Sequence, residues 1–214
     1  MTQAGLTLII GGARAGKTTF AERLAARHSG TVCYVATAEP RDDEMRARIA
    51  AHRSARPSHW TTVEAPLEVA TALAEIERPS AVLLDCLTLW TSNLLLRDLD
   101  PDAVTPDRAR RAETVAVASV TALLRWQSET GVATYIVSNE VGLGVTPPYA
   151  LGRIFQDVLG RLNQRVAAAA SEVYFVVAGM ALPLKALGAA GIDAPPPLPL
   201  EDSERARSAR GTRP

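Results

Sequence analysis

The segment that most constrains the fold is Gly-Gly-Ala-Arg-Ala-Gly-Lys-Thr at residues 11–18, which matches the pattern G-x-x-x-x-G-K-[ST]. It follows the apolar run LTLII and opens a helix-like segment, which is the context that the pattern requires. Gly11 and Gly16 let the backbone close around an anion, and successive N–H groups then point at the phosphates. The segment predicts a loop that binds a nucleoside triphosphate; the alternative is a chance glycine-rich turn.

Two side chains of this loop and one distant carboxylate predict a metal–phosphate site. Lys17 would place a positive charge near the β and γ phosphates, and the Thr18 hydroxyl would ligate Mg²⁺. Asp85 closes the apolar run 81–84, where a protein with such a loop positions its metal. Asp85 would alternatively cap the next helix. Beside the phosphate loop, we favour Thr18 and Asp85 as metal ligands.

Apolar runs of strand length alternate with helix-like segments along most of the chain. This alternation predicts an α/β fold of the P-loop NTPase type (RecA-like), with a mostly parallel sheet and helices on both faces. The predicted strands are 6–10, 31–36, 61–64, 81–85, 133–137 and 172–177, and the predicted helices are 17–27, 42–53, 66–77, 87–96, 108–130 and 149–170.

The composition changes after Lys185, where three consecutive prolines and many Arg, Ser and Glu residues occur without any aromatic residue. Such a segment buries too little apolar surface to offset its chain entropy. We therefore expect one nucleotide-binding catalytic domain at 1–185 and a disordered tail at 186–214.

Charge and cysteine content exclude several classes of protein. The 214 residues contain 23 Lys plus Arg and 23 Asp plus Glu, so no overall charge favours binding to nucleic acid or to an anionic membrane. Cys33 and Cys86 lie in apolar runs without metal-type spacing, which favours buried thiols over a disulfide. No signal peptide and no apolar run of ~20 residues is seen, so we expect a cytoplasmic protein.

The charged segment at 42–53 carries the most informative histidine. On a helix, Glu44, Arg48 and His52 would share one face, and Arg53 and Arg56 follow closely. An imidazole among guanidinium groups suits a polyphosphate, although a solvated helix face is the common explanation of such a run. His28 and His59 lack these surroundings and are predicted to be surface residues.

Two further clusters leave alternatives open. Residues 138–144 (SNEVGLG) follow a buried strand and suit either a ligand at the edge that carries the phosphate loop or a plain turn. Arg161 and Arg165 are four positions apart in a helix and would face either phosphate or solvent.

These segments together resemble the bifunctional adenosylcobinamide kinase/adenosylcobinamide-phosphate guanylyltransferase family of cobalamin assembly. The resemblance spans most of residues 6–180, with its specific parts at 42–52 (DDEMRARIAAH) and 138–144. Further pieces are GGARAGKT at 11–18, YVATAE at 34–39, RPSHWTTVEAP at 56–66, LLDCLTLWTSNLL at 83–95 and GRLNQRVAAAASEV at 160–173. Residues 145–149 (VTPPY) and the tail depart from the family's pattern.

The resemblance implies two reactions on one nucleotide site. ATP or GTP would phosphorylate the hydroxyl of the aminopropanol arm of adenosylcobinamide. His52 would then attack the α-phosphate of GTP and pass GMP to adenosylcobinamide phosphate, with Lys17 and Mg²⁺ assisting. The sequence leaves the oligomeric state open, a homo-oligomer included. The positions that match the family's nucleotide contacts are Gly11, Gly12, Ala13, Arg14, Ala15, Gly16, Lys17, Thr18, Ala36, Thr37, Ala38, Arg53, Ser54, Ala55, Arg56, Glu64 and Asp85.

Two other functions remain compatible with the phosphate loop alone. A simple small-molecule kinase would use Lys17, Thr18 and Asp85 and leave His52 incidental. A nucleotide-switched binding module or motor subunit would instead need a partner surface, which the sequence does not identify.

Overall fold

The computed structural model describes residues 5–40, 42–54, 56–101, 103–189 and 191. Strands and helices alternate as the sequence predicts, up to a final pair of strands. The strands are β1 (Leu6–Gly11), β2 (Val32–Ala36), β3 (Thr61–Glu64), β4 (Ala81–Asp85), β5 (Ala133–Asn139), β6 (Glu172–Val177) and β7 (Met180–Pro183). The helices are α1 (Lys17–Ala25), α2 (Asp43–Ser54), α3 (Val69–Ala74), α4 (Leu87–Asp98), α5 (Pro106–Thr130) and α6 (Ala150–Ala169).

Within the described residues the strands form one sheet in the order β3-β2-β4-β5-β1-β6-β7. All neighbours pair in parallel except β6 and β7, which form an antiparallel hairpin. Strand β5 lies between β1, which leads into the phosphate loop, and β4, which ends at Asp85. Parallel pairing brings the carboxyl ends of these strands to one edge, where open α/β sheets bind their ligands.

Helices cover both faces of the sheet, as the buried strands predict. Leu8 and Leu84 face the larger core, formed with α3, α4, α5 and α6. Ile9 and Leu83 point to the other side, where they pack with α1. The structure therefore confirms the mostly parallel P-loop architecture.

Helix α3 is shorter than the predicted helix at 66–77, because the chain before it is held by side chains of α4. Trp90 Nε1 donates to the carbonyl of Leu67 at 2.7 Å, and Asn93 Nδ2 donates to the carbonyl of Pro66 at 3.2 Å. The carbonyls of residues 66 and 67 thus accept hydrogen bonds from side chains of α4 and not from backbone N–H groups of a helix. The predicted helix start at Pro66 is therefore wrong, since α3 begins at Val69.

The sequence also missed strand β7 and the full length of β5. Val177 and Met180 pair across a two-residue turn, Ala178-Gly179, whose φ angles of 50° and 79° are both positive. A turn of this kind matches the twist of a tight hairpin. Strand β5 runs to Asn139 and so includes the first two residues of the predicted turn at 138–144.

Cys33 and Cys86 are buried free thiols, as predicted. In the part of the chain that the structure describes, every helix is too short or too polar to cross a bilayer. The predicted tail lies mostly outside the described residues, so the boundary at residue 185 stays a prediction.

Candidate nucleotide site

The phosphate loop connects β1 to α1, and two glycines fit its geometry. A Cβ on Gly11 would lie 2.1 Å from the carbonyl oxygen of Val176 in β6, so only glycine fits this close approach. Gly16 immediately precedes α1 with φ of 97°, a left-handed conformation that favours glycine. The first N–H groups of α1 have no intrahelical acceptors and are available to an anion.

Lys17, the first residue of α1, is folded back over this loop. Its side chain is buried, and Nζ donates to the carbonyl of Gly12 at 2.6 Å. Burial lowers the pKa of Lys17 from its usual value of 10.5, while Cys86 and Asp85 act in the opposite direction. A phosphate oxygen would supply the negative partner that this buried ammonium group favours.

An open cavity of about 340 Å³ lies beside the loop at the carboxyl edge of the sheet. Its walls combine the loop, the ends of four strands, and residues of α2 and α4. The lining residues are Ala13, Arg14, Lys17, Thr18, Tyr34, Ala36, Ala38, Pro40, Ile49, Arg56, Glu64, Asp85, Cys86, Leu89, Val137 and Asn139. The structure thus brings predicted residues from five segments, between Ala13 and Asp85, into one space.

Asp85 ends β4 next to the phosphate loop, where the sequence places a metal ligand. Its Oδ2 accepts hydrogen bonds from the Thr18 hydroxyl at 3.1 Å and from the Tyr34 hydroxyl at 2.6 Å. The described residues contain no cluster of three or more His, Cys, Asp or Glu side chains that would hold a metal. One hydroxyl and one carboxylate nevertheless fit Mg²⁺, which takes its remaining oxygen ligands from phosphates and water.

Thr37 does not face the cavity with its side chain. It is fully buried, donating its hydroxyl to the Cys86 carbonyl at 2.8 Å and accepting from the Cys86 amide at 2.8 Å. Asn93 Nδ2 donates to the Thr37 carbonyl at 2.7 Å. Thr37 therefore fastens the end of β2 to β4, and any nucleotide contact there would come from the neighbouring Ala36 and Ala38.

The far wall of the cavity carries charged side chains around β3. Arg56 lies over the Tyr34 ring, with Cζ 3.3 Å from the ring centroid, and its Nη1 donates to the Thr62 hydroxyl at 3.3 Å. Glu64 also lines the cavity and pairs with Arg53 across 3.7 Å, although both of these side chains are exposed. Arg53, Arg56 and Glu64, which match the family's nucleotide contacts, therefore lie together around β3.

Helix α2 forms part of the same wall. Its described side chains are exposed except for Ile49, which is half-buried and lines the cavity. His52 lies in α2, but its side chain and the whole of Ala55 are outside the described residues. The Ser54 hydroxyl donates to the carbonyl of Ala51 within the helix.

Comparison with known proteins decides the family. Residues 7–184 match the family model described as cobinamide kinase/cobinamide phosphate guanyltransferase. The chain belongs to this family. Membership of this family indicates that the protein is an enzyme of cobalamin biosynthesis that uses a nucleotide.

Curated relatives of this chain align along nearly their whole length. The bifunctional adenosylcobalamin biosynthesis protein CobP of Pseudomonas aeruginosa is 46% identical over 179 residues, covering 83% of this chain and 96% of the relative. The bifunctional adenosylcobalamin biosynthesis protein CobU of Escherichia coli is 40% identical, and the alignment covers 84% of this chain and 99% of the relative. The corresponding CobU from Salmonella typhimurium is 38% identical with the same coverage.

Among solved structures, the flagellar accessory protein FlaH from Methanocaldococcus jannaschii aligns with a TM-score of 0.40 at 11% identity. The alignment covers 84% of this chain and 75% of FlaH.

The cluster at 138–144 is divided between the cavity and the surface of this family member. Asn139 lines the cavity, while its N–H donates to the Thr88 hydroxyl at 2.7 Å and its carbonyl accepts from Asn163 at 3.1 Å. Beyond it, Glu140 accepts from the Gly142 amide, and Leu143 is exposed. The cluster thus contributes one residue to the site and then becomes a surface loop.

Other predicted residues lie away from the cavity. Arg161 pairs with Glu113 of α5 across 2.5 Å, so it faces a neighbouring helix and does not line the site. His59 is exposed as predicted, whereas His28 is half-buried and shares a hydrogen bond of 2.9 Å with the Tyr135 hydroxyl. The prediction of a surface position for His28 is wrong, because β5 supplies a polar partner beneath α1.

The sequence did not single out Tyr34, Asn139, Leu89 and Ile49 as individual site residues, although all four line the cavity. Asn139 lies at the carboxyl end of β5, where the rule that ligands bind at this edge would have found it, whereas Tyr34 lies in the middle of β2. Leu89 and Ile49 carry no chemical signal in the sequence. Only the packing of α4 and α2 brings them to the site.

Proposed function

We propose that this protein performs two successive transfers from a nucleoside triphosphate to a corrinoid. In the first, the hydroxyl oxygen of the adenosylcobinamide arm attacks the γ-phosphorus of ATP or GTP. The bond to the β–γ bridging oxygen breaks, the nucleoside diphosphate leaves and the hydroxyl proton is lost. The product is adenosylcobinamide phosphate.

The second transfer runs through a covalent intermediate. An imidazole nitrogen of His52 attacks the α-phosphorus of GTP, the bond to the α–β bridging oxygen breaks, and pyrophosphate leaves. A phosphate oxygen of adenosylcobinamide phosphate then attacks the guanylyl group and breaks the P–N bond, whose electron pair returns to the imidazole. Adenosylcobinamide-GDP is released, and the histidine is ready for another cycle.

One observation carries this proposal: the phosphate loop and helix α2 border the same cavity. Lys17, Thr18 and Asp85 line this cavity together with Ile49 of α2 and Arg56. His52 follows Ile49 by three positions, and positions three apart share a side of a helix. This arrangement supports one triphosphate site whose γ-phosphate and α-phosphate serve different steps.

The proposed roles follow from the charge of each side chain. Lys17 and the loop amides would hold the β and γ phosphates, and Thr18 and Asp85 would hold Mg²⁺. When bound, Mg²⁺ would neutralise charge on the phosphates. Arg56, supported by Tyr34, would stabilise the negative charge that moves onto the leaving pyrophosphate. The remaining nucleotide contacts are proposed as the resemblance gives them, with Ala36 and Ala38 in the cavity wall and Arg53 at the end of α2.

Labelling with GTP tests the covalent step. The parent protein, incubated with α-labelled GTP and Mg²⁺, should acquire protein-bound label that is stable in base and labile in acid, as expected for a P–N bond. His52→Ala should take up no label, yet still bind GTP and still phosphorylate the corrinoid hydroxyl, a step that needs no covalent intermediate.

The matched controls are the chain's other histidines. His59→Ala, an exposed substitution, and His28→Ala should both label like the parent. Acid-labile label on His52→Ala would assign the nucleophile to another residue. A parent that phosphorylates the corrinoid but never labels would be a simple kinase.

A further inference from the structure

Tyr34 contacts two other residues that line the nucleotide cavity, Asp85 and Arg56. It is 2% exposed in β2 and still lines the cavity. Its hydroxyl donates to Asp85 Oδ2 at 2.6 Å, the same oxygen that accepts from Thr18 at 3.1 Å. Two donors on one oxygen fix the rotation of the carboxylate and leave Oδ1 to face another ligand.

The face of the same ring supports Arg56. The guanidinium carbon lies 3.3 Å from the ring centroid, within the range of a cation–π contact. Arg56 also donates to the Thr62 hydroxyl through Nη1, while its buried Nε has no hydrogen-bond partner among the described residues. The guanidinium group is thus held in place by stacking and still has donor capacity for an anion in the cavity.

We propose that Tyr34 is a positioning residue that acts through Asp85 and Arg56. Its hydroxyl orients the carboxylate that would hold the metal, and its ring orients the arginine that would contact the phosphates. One side chain thereby sets the spacing between the metal side and the arginine side of a bound triphosphate. This inference rests on the proposed function only in requiring that GTP and Mg²⁺ bind in this cavity.

Two substitutions of Tyr34 separate its contact with Asp85 from its contact with Arg56. Tyr34→Phe removes the hydroxyl and keeps the ring beneath Arg56. Tyr34→Leu removes both contacts. The matched control is Tyr135→Phe: Tyr34, Leu83 and Tyr135 form one row across β2, β4 and β5, and the Tyr135 hydroxyl bonds to His28, away from the cavity.

The measurement is calorimetric binding of GTP to each protein, once with Mg²⁺ and once with EDTA. For Tyr34→Phe we expect the gain in affinity due to Mg²⁺ to fall about tenfold, the usual cost of losing the partner of a metal ligand. Its affinity for GTP in EDTA should stay within about twofold of the parent's. Without the metal, the hydrogen bond from Tyr34 to Asp85 contributes to the stability of the fold and not to GTP binding. A merely structural role would weaken both affinities alike.

Tyr34→Leu should lose the gain in GTP affinity that Mg²⁺ gives. It should also bind GTP about threefold more weakly in EDTA, because Arg56 loses the ring on which it stacks. Tyr135→Phe should match the parent in both conditions. An unchanged Mg²⁺-dependent gain in Tyr34→Phe would overturn the proposal, and this variant decides the question even if Tyr34→Leu fails to fold.

Failure of the proposed function gives a different result. A parent protein that binds Mg²⁺ and GTP together but never becomes guanylylated would contradict the proposed covalent step. The effect of Tyr34→Phe on the Mg²⁺-dependent affinity would still support the positioning role. A parent whose GTP affinity is the same with Mg²⁺ and with EDTA would overturn the positioning role.

Discussion

Two regions border the nucleotide cavity, and they are held in different ways. At the sheet edge, Lys17 and Tyr34 are buried, and hydrogen bonds join Tyr34, Thr18 and Asp85. In helix α2, no residue that the structure describes belongs to either hydrophobic core, and the Arg46 side chain donates to Asp43 and to the carbonyl of Pro40.

Among the described side chains, an exposed ion pair joins α2 to the sheet. The ion pair between Arg53 and Glu64 joins side chains that are 68% and 70% exposed. Exposed pairs of this kind contribute at most about 1 kcal/mol. Lys17 and Asp85, which both proposed reactions need, therefore lie beside the core, whereas the described link between the sheet and the helix that carries His52 is an exposed ion pair.

The largest effect should come from the buried lysine. Lys17→Ala should reduce both transfers by at least about 10²- to 10³-fold, because it removes positive charge from the phosphates in both. His52→Ala should by contrast remove only the guanylyl transfer. Circular dichroism should show an unchanged fold for Lys17→Ala.

The control for this variant is Lys185→Ala, the chain's other lysine, whose Nζ donates to the carbonyl of Ala170 away from the cavity. It should retain both activities. Full turnover by a folded Lys17→Ala protein would contradict the phosphate-loop assignment.

Removing one charge at the end of β4 should affect the metal. Asp85→Asn keeps the shape of the side chain, so the protein should fold, but the Mg²⁺ concentration for half-maximal activity should rise at least about tenfold. Asp98→Asn, at the exposed end of α4, should behave like the parent. Superimposable Mg²⁺ titrations for Asp85→Asn and the parent would make Asp85 structural.

The lowered pKa of Lys17 predicts that GTP affinity falls as the pH rises towards that pKa, below the usual 10.5. The sign follows because protonated Lys17 attracts phosphate and the neutral amine does not. Burial and Asp85 raise the pKa of Cys86 to about 11, so that thiol stays neutral in this range.

Calorimetry between pH 7 and 10 should show a falling affinity, with proton uptake on binding at the alkaline end. Lys17→Arg keeps its charge and should show a flatter profile. An equally steep decline in Lys17→Arg would assign the titration to another group.

A smaller effect is expected where α2 meets β3. Arg53→Ala should weaken GTP binding about threefold and leave the melting temperature unchanged, because the lost ion pair is exposed. Arg46→Ala, which loses only contacts within and just before α2, should bind GTP normally. A clear fall in the melting temperature of Arg53→Ala would show that this pair anchors the helix.

The smallest effect should follow from removing the tail. A chain ending at Lys185 keeps the packing of Leu184 on the core and should melt within about 4 °C of the parent with full activity. A chain ending at Pro183 loses Leu184 and the Lys185 contact and should melt lower. A large drop for the first truncation would place the domain boundary later.

The sequence alone determined the parts of this protein that depend on local chemistry. The pattern at 11–18 predicted the loop, the apolar runs predicted a parallel sheet with helices on both faces, and strand-end Asp85 predicted the carboxylate beside Thr18. Each follows from spacing and side-chain type, which a linear sequence contains in full.

Only the tertiary structure decided the features that depend on contacts between distant segments. The length of α3 is set by Trp90 and Asn93, which satisfy carbonyls that a helix would otherwise use. Tyr34 lines the cavity because β2 pairs with β4, which brings its hydroxyl to Asp85, 51 positions away in the chain. Thr37 matched a nucleotide contact by sequence, yet its hydroxyl is used between two strands. Side-chain partners of this kind are fixed by strand order and register, which no local pattern encodes.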